Sequence, residues 1–454
     1  MVRMAWSWAV VGFLSGAALS GQFLDPAFQA KGDGESNTAP TEKAPAPLIP
    51  PEWSALLVFE EALDFREGLA PVKFATKGSS GSELKRWGYL SEELRPAIAP
   101  AFDAVRPFSG DAAFALTDGK WGLIDKKGDW CVPPQFDAIG IWQEGKAAVR
   151  REGRWGFAAN DGSIPMKVQW DEVAPFSNGY ARVRLDDKWT FLDATGETLA
   201  PPSFDKVWDF SEGWAPYALA DGNGGLRLGF LGTNDFRLSP AWDDVGDFHE
   251  GLAVFRLDRS GSYGAEKTRW GWIGRRGQVV IPAEFLEGGD FQRGLARFRT
   301  PRGWGYLNRR GEVAVEPQFL EARDFFGPRA AVKTAQGWAF VGTNGQLAGP
   351  FWHELGLVRE TWALASVLSN TGLFQWPRWG RVNAEGRWAL APVYEAIQWL
   401  GGPWYAVRQQ GRWGVAQEEG VLVVPPVFDE VSLGDSGWVR FRANGKWGFK
   451  KLAL

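Results

Sequence analysis

Pro134-Gln135-Phe136-Asp137, Trp142-Gln143-Glu144-Gly145-Lys146-Ala147 and Arg154-Trp155-Gly156-Phe157 are one pass through a pattern that governs most of this chain. The next pass reads Gln169-Trp170-Asp171, Phe176-Ser177-Asn178-Gly179-Tyr180-Ala181 and Lys188-Trp189. The Trp-Gly position falls at 87, 121, 155, 189, 228, 270, 304, 338, 379, 413 and 447, mostly in steps of 34 residues. The aromatic of the Pro-x-aromatic element falls at 53, 102, 136, 170, 204, 242, 285, 319, 352, 394 and 428. Both markers give eleven units. Self-similarity at such a period is the signature of a repeat architecture.

Three strands are predicted per unit. The first follows Glu-Gly: in Tyr180-Ala181-Arg182-Val183-Arg184, Ala181 and Val183 share one face, and Tyr180, Arg182 and Arg184 the other. That is the period-two alternation of a half-buried strand. Tight turns are predicted at Asp118-Gly119, Glu152-Gly153 and Asn444-Gly445, pairs that suit a two-residue hairpin. The second strand carries Trp-Gly and puts Trp121 and Leu123 on one face, Gly122 and Ile124 on the other. A third strand runs into Pro, as in Val421-Leu422-Val423-Val424-Pro425-Pro426, and a Pro-rich corner leads onward. Gly weakens a strand unless something approaches its backbone closely; an aromatic such as Phe136 is the expected neighbour.

One unit cannot cover its own apolar face, so neighbours must share cores. The predicted fold is all-β: a tandem array of about eleven three-stranded antiparallel β meanders over residues 51–454, open and twisted or superhelical. Eleven units exceed the roughly four to eight blades of most propellers, and three strands fall short of a blade's usual four or so. A closed β-propeller-like ring, or two smaller rings, is the alternative. In the open form Lys450-Lys451 would guard the last edge strand.

The motifs resemble those of the bacterial WG-repeat family, also called KWG repeats. The matching stretches are Gly119-Lys120-Trp121-Gly122-Leu123-Ile124-Asp125, Val279-Val280-Ile281-Pro282 and Phe210-Ser211-Glu212-Gly213-Trp214-Ala215. The resemblance covers residues 51–454. It implies tandem β units in bacterial proteins that are often exported and share no common activity. Leu228 stands in place of Trp, Thr190 and Ala339 in place of Gly, and the unit around Trp352 lacks a clear Glu-Gly-x-Ala. Regular geometry is least expected in those copies.

Residues 1–21 have the form of a signal peptide: Arg3, an apolar run from Ala5 to Leu19, and small residues at Ala18-Leu19-Ser20. An uncleaved membrane anchor is the alternative. Residues 22–50 form a Pro/Ala/Gly linker with too few bulky apolar groups to order itself. The expected location is therefore periplasmic or secreted. With a net charge of −4 and no basic stripe, the chain has no footprint for nucleic acid. Its single cysteine, Cys131, cannot form an internal disulfide and is expected to be a small buried hydrophobe.

Nothing in the sequence has the form of an active site. The two histidines, His249 and His353, lie in different units, and His249 takes a slot that holds Ser177 and Ser211 elsewhere. No zinc spacing, P-loop or nucleophile elbow occurs, so no metal or cofactor is expected. The recurring Asp103, Asp137, Asp171, Asp205 and Asp429 are expected to cap the corner they follow rather than to catalyse. Of the aromatics, Trp87, Trp121, Trp155, Trp189, Trp270, Trp304, Trp338, Trp379, Trp413 and Trp447 belong to the repeat and are expected in the core. Tyr263, Phe374 and Trp376 stand outside the pattern and are the candidate binding residues.

Four insertions share one turn, just before Trp-Gly: Lys77–Arg86, Asp221–Arg227, Asp258–Arg269 and Ser369–Arg378. Insertions at one position of a repeat project from one side, although a hairpin turn also tolerates length at little entropic cost. The expected function is a non-enzymatic binding or scaffold module, probing another envelope or extracellular protein. Carbohydrate or cell-wall binding through exposed aromatics is the second reading, and a hidden hydrolase the third.

Overall fold

Paired turn residues set the hairpins. Asp118 and Gly119 have φ of 53° and 75°, Glu152 and Gly153 of 53° and 81°, Asn444 and Gly445 of 50° and 73°. Two consecutive positive φ values are those of the expected hairpin turn, whose twist matches the strands it joins. The computed structural model describes residues 49–77, 83–258, 268–359, 361–371 and 374–452. In it, the chain from sheet 1 to sheet 11 forms eleven antiparallel sheets in sequence order. The predicted leader (1–21), and the linker as far as residue 48, lie outside the described residues.

Sheet 2 is typical, with strands Ala104–Val105, Ala113–Thr117, Lys120–Ile124 and Trp130–Phe136. Most sheets thus have four strands where three were expected per unit. The extra strand comes from the neighbouring unit. After Phe136 only Asp137 intervenes before Ala138–Ile139, which pairs with sheet 3. From Phe136 to Ala138 the chain spans at most about 7 Å, less than the roughly 10 Å that separates stacked sheets. The fourth strand of one sheet must therefore lie against the start of the next. Neighbouring sheets overlap accordingly: the third strand of each lies beside the first of its successor, and the fourth beside the second.

The Trp-Gly strand explains the third-to-fourth pairing. Trp121 pairs with Phe136 and Leu123 with Val132, so Gly122 alone faces the three residues 133–135. The fourth strand arches over the glycine, and Pro133 and Pro134 sit in that arch, where no ladder N–H is needed. A Cβ on Gly122 would come within 2.5 Å of the Val132 carbonyl oxygen. Gly88, Gly271, Gly305 and Gly414 meet the same obstruction at 2.4–2.6 Å. The next strand's own backbone approaches the bare glycine, and at Gly122 the Trp130 ring lies as close, 2.6 Å from that Cβ. The aromatic expected from sequence is present there, supplied by Trp130 and not by Phe136.

Each sheet buries both faces. Leu123 joins Phe136 of its own sheet and Val149 of sheet 3, while Ile124 joins Trp87 and Phe102 of sheet 1. Such a core lies between every pair of consecutive sheets. A further core joins the last sheet to the first: Trp438 and Phe449 of sheet 11 pack with Phe65, Val72 and Leu90 of sheet 1. The array is a closed ring resembling an eleven-bladed propeller, not the open superhelix favoured from sequence.

The seam is made by the residues just before sheet 1. Phe59 pairs with Trp447 and takes the place of a fourth strand in sheet 11. The Trp447 N–H donates to the Phe59 carbonyl at 2.7 Å. Trp53 wedges against Phe428 and Phe441, with ring centroids 5.5 and 5.1 Å away. Lys450 lies 4.0 Å over the Trp53 ring and Lys451 pairs with Glu92 of sheet 1 at 2.7 Å. These lysines belong to the seam; no open end exists for them to guard. Closure wins because an open array would leave two terminal faces of the Phe65 and Trp438 kind exposed to water.

Candidate functional site

Strand direction divides the loops between two rims. Turns joining second to third strands lie on one rim together with the corner aspartates; turns joining first to second and third to fourth lie on the other. On the hairpin rim five corner aspartates tie two sheets together. Asp205 accepts from Lys188 of its own unit at 2.5 Å and from the Ala220 N–H of the next sheet's turn at 2.7 Å. Asp243 repeats this with Arg227 and the Asp258 N–H, at 2.7 and 2.8 Å. Asp103, Asp137 and Asp171 do the same for the Asp118, Glu152 and Asp186 N–H groups, 15 residues on. Their role is structural, but the turn they cap belongs to the following sheet, not to their own corner. The Lys120 ammonium beside Asp137, and the Lys188 ammonium beside Asp205, hold those carboxyls below the usual carboxylate range.

All four insertions fall in hairpins on this rim, in sheets 1, 5, 6 and 9. They lengthen the hairpins to pairs such as Asp258 with Thr268 and Thr371 with Phe374. Each hairpin carries an exposed leucine: Leu84, Leu226, Leu257 and Leu368. Phe374 and Trp376 both lie in the hairpin of sheet 9, where Trp376 pairs with Ser369 and is 60% exposed. Tyr263 lies outside the described residues. The strands that flank it, Leu252–Asp258 and Thr268–Gly274, belong to sheet 6, three sheets from the hairpin of Trp376.

The repeat tryptophans are less deeply placed than a core position implies. Trp87 and Trp338 are buried, whereas Trp121, Trp155, Trp189, Trp270, Trp304, Trp379, Trp413 and Trp447 are half-buried. One ring face packs on protein while the other often carries a cation. Arg150 lies 5.5 Å over Trp155, Arg184 5.9 Å over Trp189 and Arg297 5.4 Å over Trp304. A cation over an indole is attracted by the ring quadrupole, which explains the charged residues facing each Trp. Cys131 is exposed on the fourth strand of sheet 2, because alternation points Val132 inward and its neighbour outward. The small buried hydrophobe expected there is not what the fold provides.

A second arrangement, on first strands, went unnoticed in the sequence. The residue before the recurrent Phe is Asp at 64, 209, 247, 290 and 324, where other units have Pro107 or Pro175. An arginine from the preceding sheet pairs with three of these, Arg440 with Asp64 at 2.9 Å, Arg182 with Asp209 at 2.7 Å and Arg297 with Asp324 at 2.9 Å. For Asp290 the arginine position holds Val254, and His249 Nε2 lies 3.5 Å from Asp290 Oδ2 instead. His249 is thus half-buried between sheets rather than in a surface slot. The Asp290 carboxyl keeps about a third of its surface open, yet crowding by protein pushes it up to about 7. His249 and Arg297 oppose that rise, and Asp324 and Asp247 add to it. Burial also raises Asp324. The recurrence of Asp-Phe was the available signal. Among the described residues no three His, Cys, Asp or Glu side chains are placed to hold a metal ion.

The recurring sheet, its Trp-Gly strand and the overlap of units are matched by a family model described as a WG containing repeat. It matches residues 51–75, 87–121, 121–155, 167–189, 189–220, 233–259, 270–300, 304–345 and 413–447. These segments make up more than half of the chain. The chain belongs to the WG-containing-repeat family. No curated protein matches it in sequence. Among solved structures it is similar to a puromycin hydrolase, at 13% identity and a TM-score of 0.23, over 60% of this chain and 57% of that one. It is similar also to the dihydro-heme d1 dehydrogenase NirN, at 14% identity and 0.24, over 70% and 71%. The acylaminoacyl peptidase of Pyrococcus horikoshii gives 11% and 0.26, over 71% and 58%. Likeness this weak carries no argument about this WG-repeat chain.

Proposed function

We propose that this WG-repeat ring is an exported, non-enzymatic binding module of the bacterial envelope, periplasmic or secreted, which docks another protein along its hairpin rim. One observation carries the reading: four lengthened hairpins on one rim each present an exposed leucine, where sister units close the same turn with two residues such as Asp118-Gly119. Apolar groups held outward on loops commonly mark contacts, and a ring built on shared cores gives them a rigid base. Replacing Asp258–Arg269 with Asn-Gly removes one hairpin tip and leaves its sheet intact. The expected outcome is loss of a partner captured from envelope extract by the native chain, with an unchanged melting temperature. Retention of that partner by chains trimmed in sheets 5, 6 and 9 together would overturn the docking reading. N-terminal sequencing of the mature protein tests export, with a start near Ser20 or Gly21 expected.

A further inference from the structure

Five corner aspartates each accept the backbone N–H of the residue 15 positions on, in the following sheet. Two lengthened hairpins keep this cap. Asp205 takes the Ala220 N–H in sheet 5 and Asp243 the Asp258 N–H in sheet 6, at 2.7 and 2.8 Å. In sheet 1 a charged pair flanks the lengthened hairpin, Glu60 with Lys85 at 2.5 Å. In sheet 9 the corner residue is His353, which has no carboxylate to offer, and the residue 15 positions on is Leu368.

The Leu368 backbone points out of the hairpin. Ser366 accepts from the His353 N–H at 2.9 Å, so its backbone faces the first strand of sheet 9, Glu354–Val358. Alternation turns Leu368 the same way, and Pro377, paired opposite it, has no N–H to offer. The first strand begins at Glu354, opposite Ser366, and reaches no further up the ribbon. Above it Val367–Thr371 pairs only with Phe374–Arg378 among the described residues. One edge of this ribbon therefore presents N–H and C=O groups that meet no strand. Native proteins guard such edges with charge or Pro. The Phe374–Arg378 edge has both, in Pro377 and Arg378, but from Trp362 to Thr371 there is neither. Leu368 is 39% exposed on this unguarded strand.

We propose that this edge pairs with the same edge of a second copy of the chain, antiparallel about a two-fold axis at Ser369. Leu368 of each copy then faces Asn370 of the other, and the two pairs exchange about four backbone hydrogen bonds. A two-fold contact sets the same surface against itself, where a charged residue would meet its own like charge. A strand without charge meets that condition. Sedimentation velocity of the purified full chain tests the pairing, from about 1 to about 300 µM, the range in which small interfaces dissociate. A monomer–dimer equilibrium is expected. Leu368→Pro removes the outward N–H, and Ser369→Lys sets two ammonium groups face to face. Each weakens dimerisation by roughly tenfold or more at unchanged melting temperature. An equimolar mixture of Ser369→Lys and Ser369→Glu restores it, which a contact elsewhere on the molecule would not do. The proposal is overturned if the native chain stays monomeric, if Leu368→Pro dimerises as well as the native chain, or if the mixture associates no better than either variant alone. No other protein enters these measurements, so their failure leaves the docking reading untouched.

Discussion

A glycine inside a strand is usually a weakness, and here it is a requirement. Thr190 shows the consequence of replacing it. Its buried side chain fills the glycine's place and donates to the Ala200 carbonyl, and the fourth strand of sheet 4 shrinks to the isolated pairs Trp189–Phe204 and Leu192–Thr198. Ala339 is tolerated differently, because Gly349 in the facing arch adopts a φ of 83° and lets that strand bow away. The expectation from sequence, that these copies depart from regular geometry, is borne out for sheet 4. Gly122→Ala should cost about 2–4 kcal/mol by forcing the arch off the strand. Gly153→Ala meets nothing within 4 Å but has a φ of 81°, and should cost only about 1–2 kcal/mol. Urea unfolding of both variants checks the order, and a larger loss at Gly153 would contradict the close-approach argument.

Between elements, carboxylates do the joining, and their surroundings decide what each contributes. Corner residues such as Asp205 gain a cation and a backbone N–H, so their charged form is favoured. Asp290 lacks the arginine that Asp324 receives, because Val254 occupies its place. Its carboxyl is held near 7 against an ordinary 3.8. A raised folded-state value means that the folded protein holds the proton more tightly than the unfolded chain. The resulting stability is complete below about pH 4 and is lost as pH rises through about 7. Asp290→Asn should therefore melt higher than the native chain at pH 8 and at the same temperature near pH 4. A melting difference independent of pH, measured from pH 4 to 8, would rule out this account.

On the scale of the whole molecule, one seam closes the ring, and its Arg–Asp pair is far more buried than the equivalent pairs Arg182–Asp209 and Arg297–Asp324 at ordinary sheet contacts. Arg440 and Asp64 are 7% and 6% exposed and 2.9 Å apart, and Arg440 lies 4.3 Å over the Trp447 ring. Removing one partner of such a pair strands a buried charge and costs roughly 3–5 kcal/mol. Asp64→Ala should lower stability by that much, whereas Asp209→Ala, at the more open Arg182 pair, should cost less than about 1 kcal/mol. Equal losses in chemical denaturation would show that the seam is no different from other sheet contacts. Closure also changes what truncation does. An open array would lose stability gradually, unit by unit, but removing residues 438–452 here exposes cores on two sides and frees the strand at Phe59. A steep loss on that single deletion is expected.

Much of this was written locally. The number of units, their strands, the hairpin turns and the need for something close to the Trp-Gly backbone all follow from short-range rules: φ of Gly and its partner, period-two alternation, and Pro where no N–H is required. The single turn that carries every insertion is equally visible in the spacing. Tertiary structure alone decided the rest. That the third strand crosses a one-residue corner to begin the next sheet depends on how neighbours overlap. So does the reach of Asp137 to a turn 15 residues on. Ring or superhelix is the sum of eleven small rotations between sheets, and no single unit encodes that sum strongly enough to be read. The pairing of His249 with Asp290 joins residues of different sheets. It exists only once adjacent units are set face to face, because burial and charge are properties of neighbours and not of the residue.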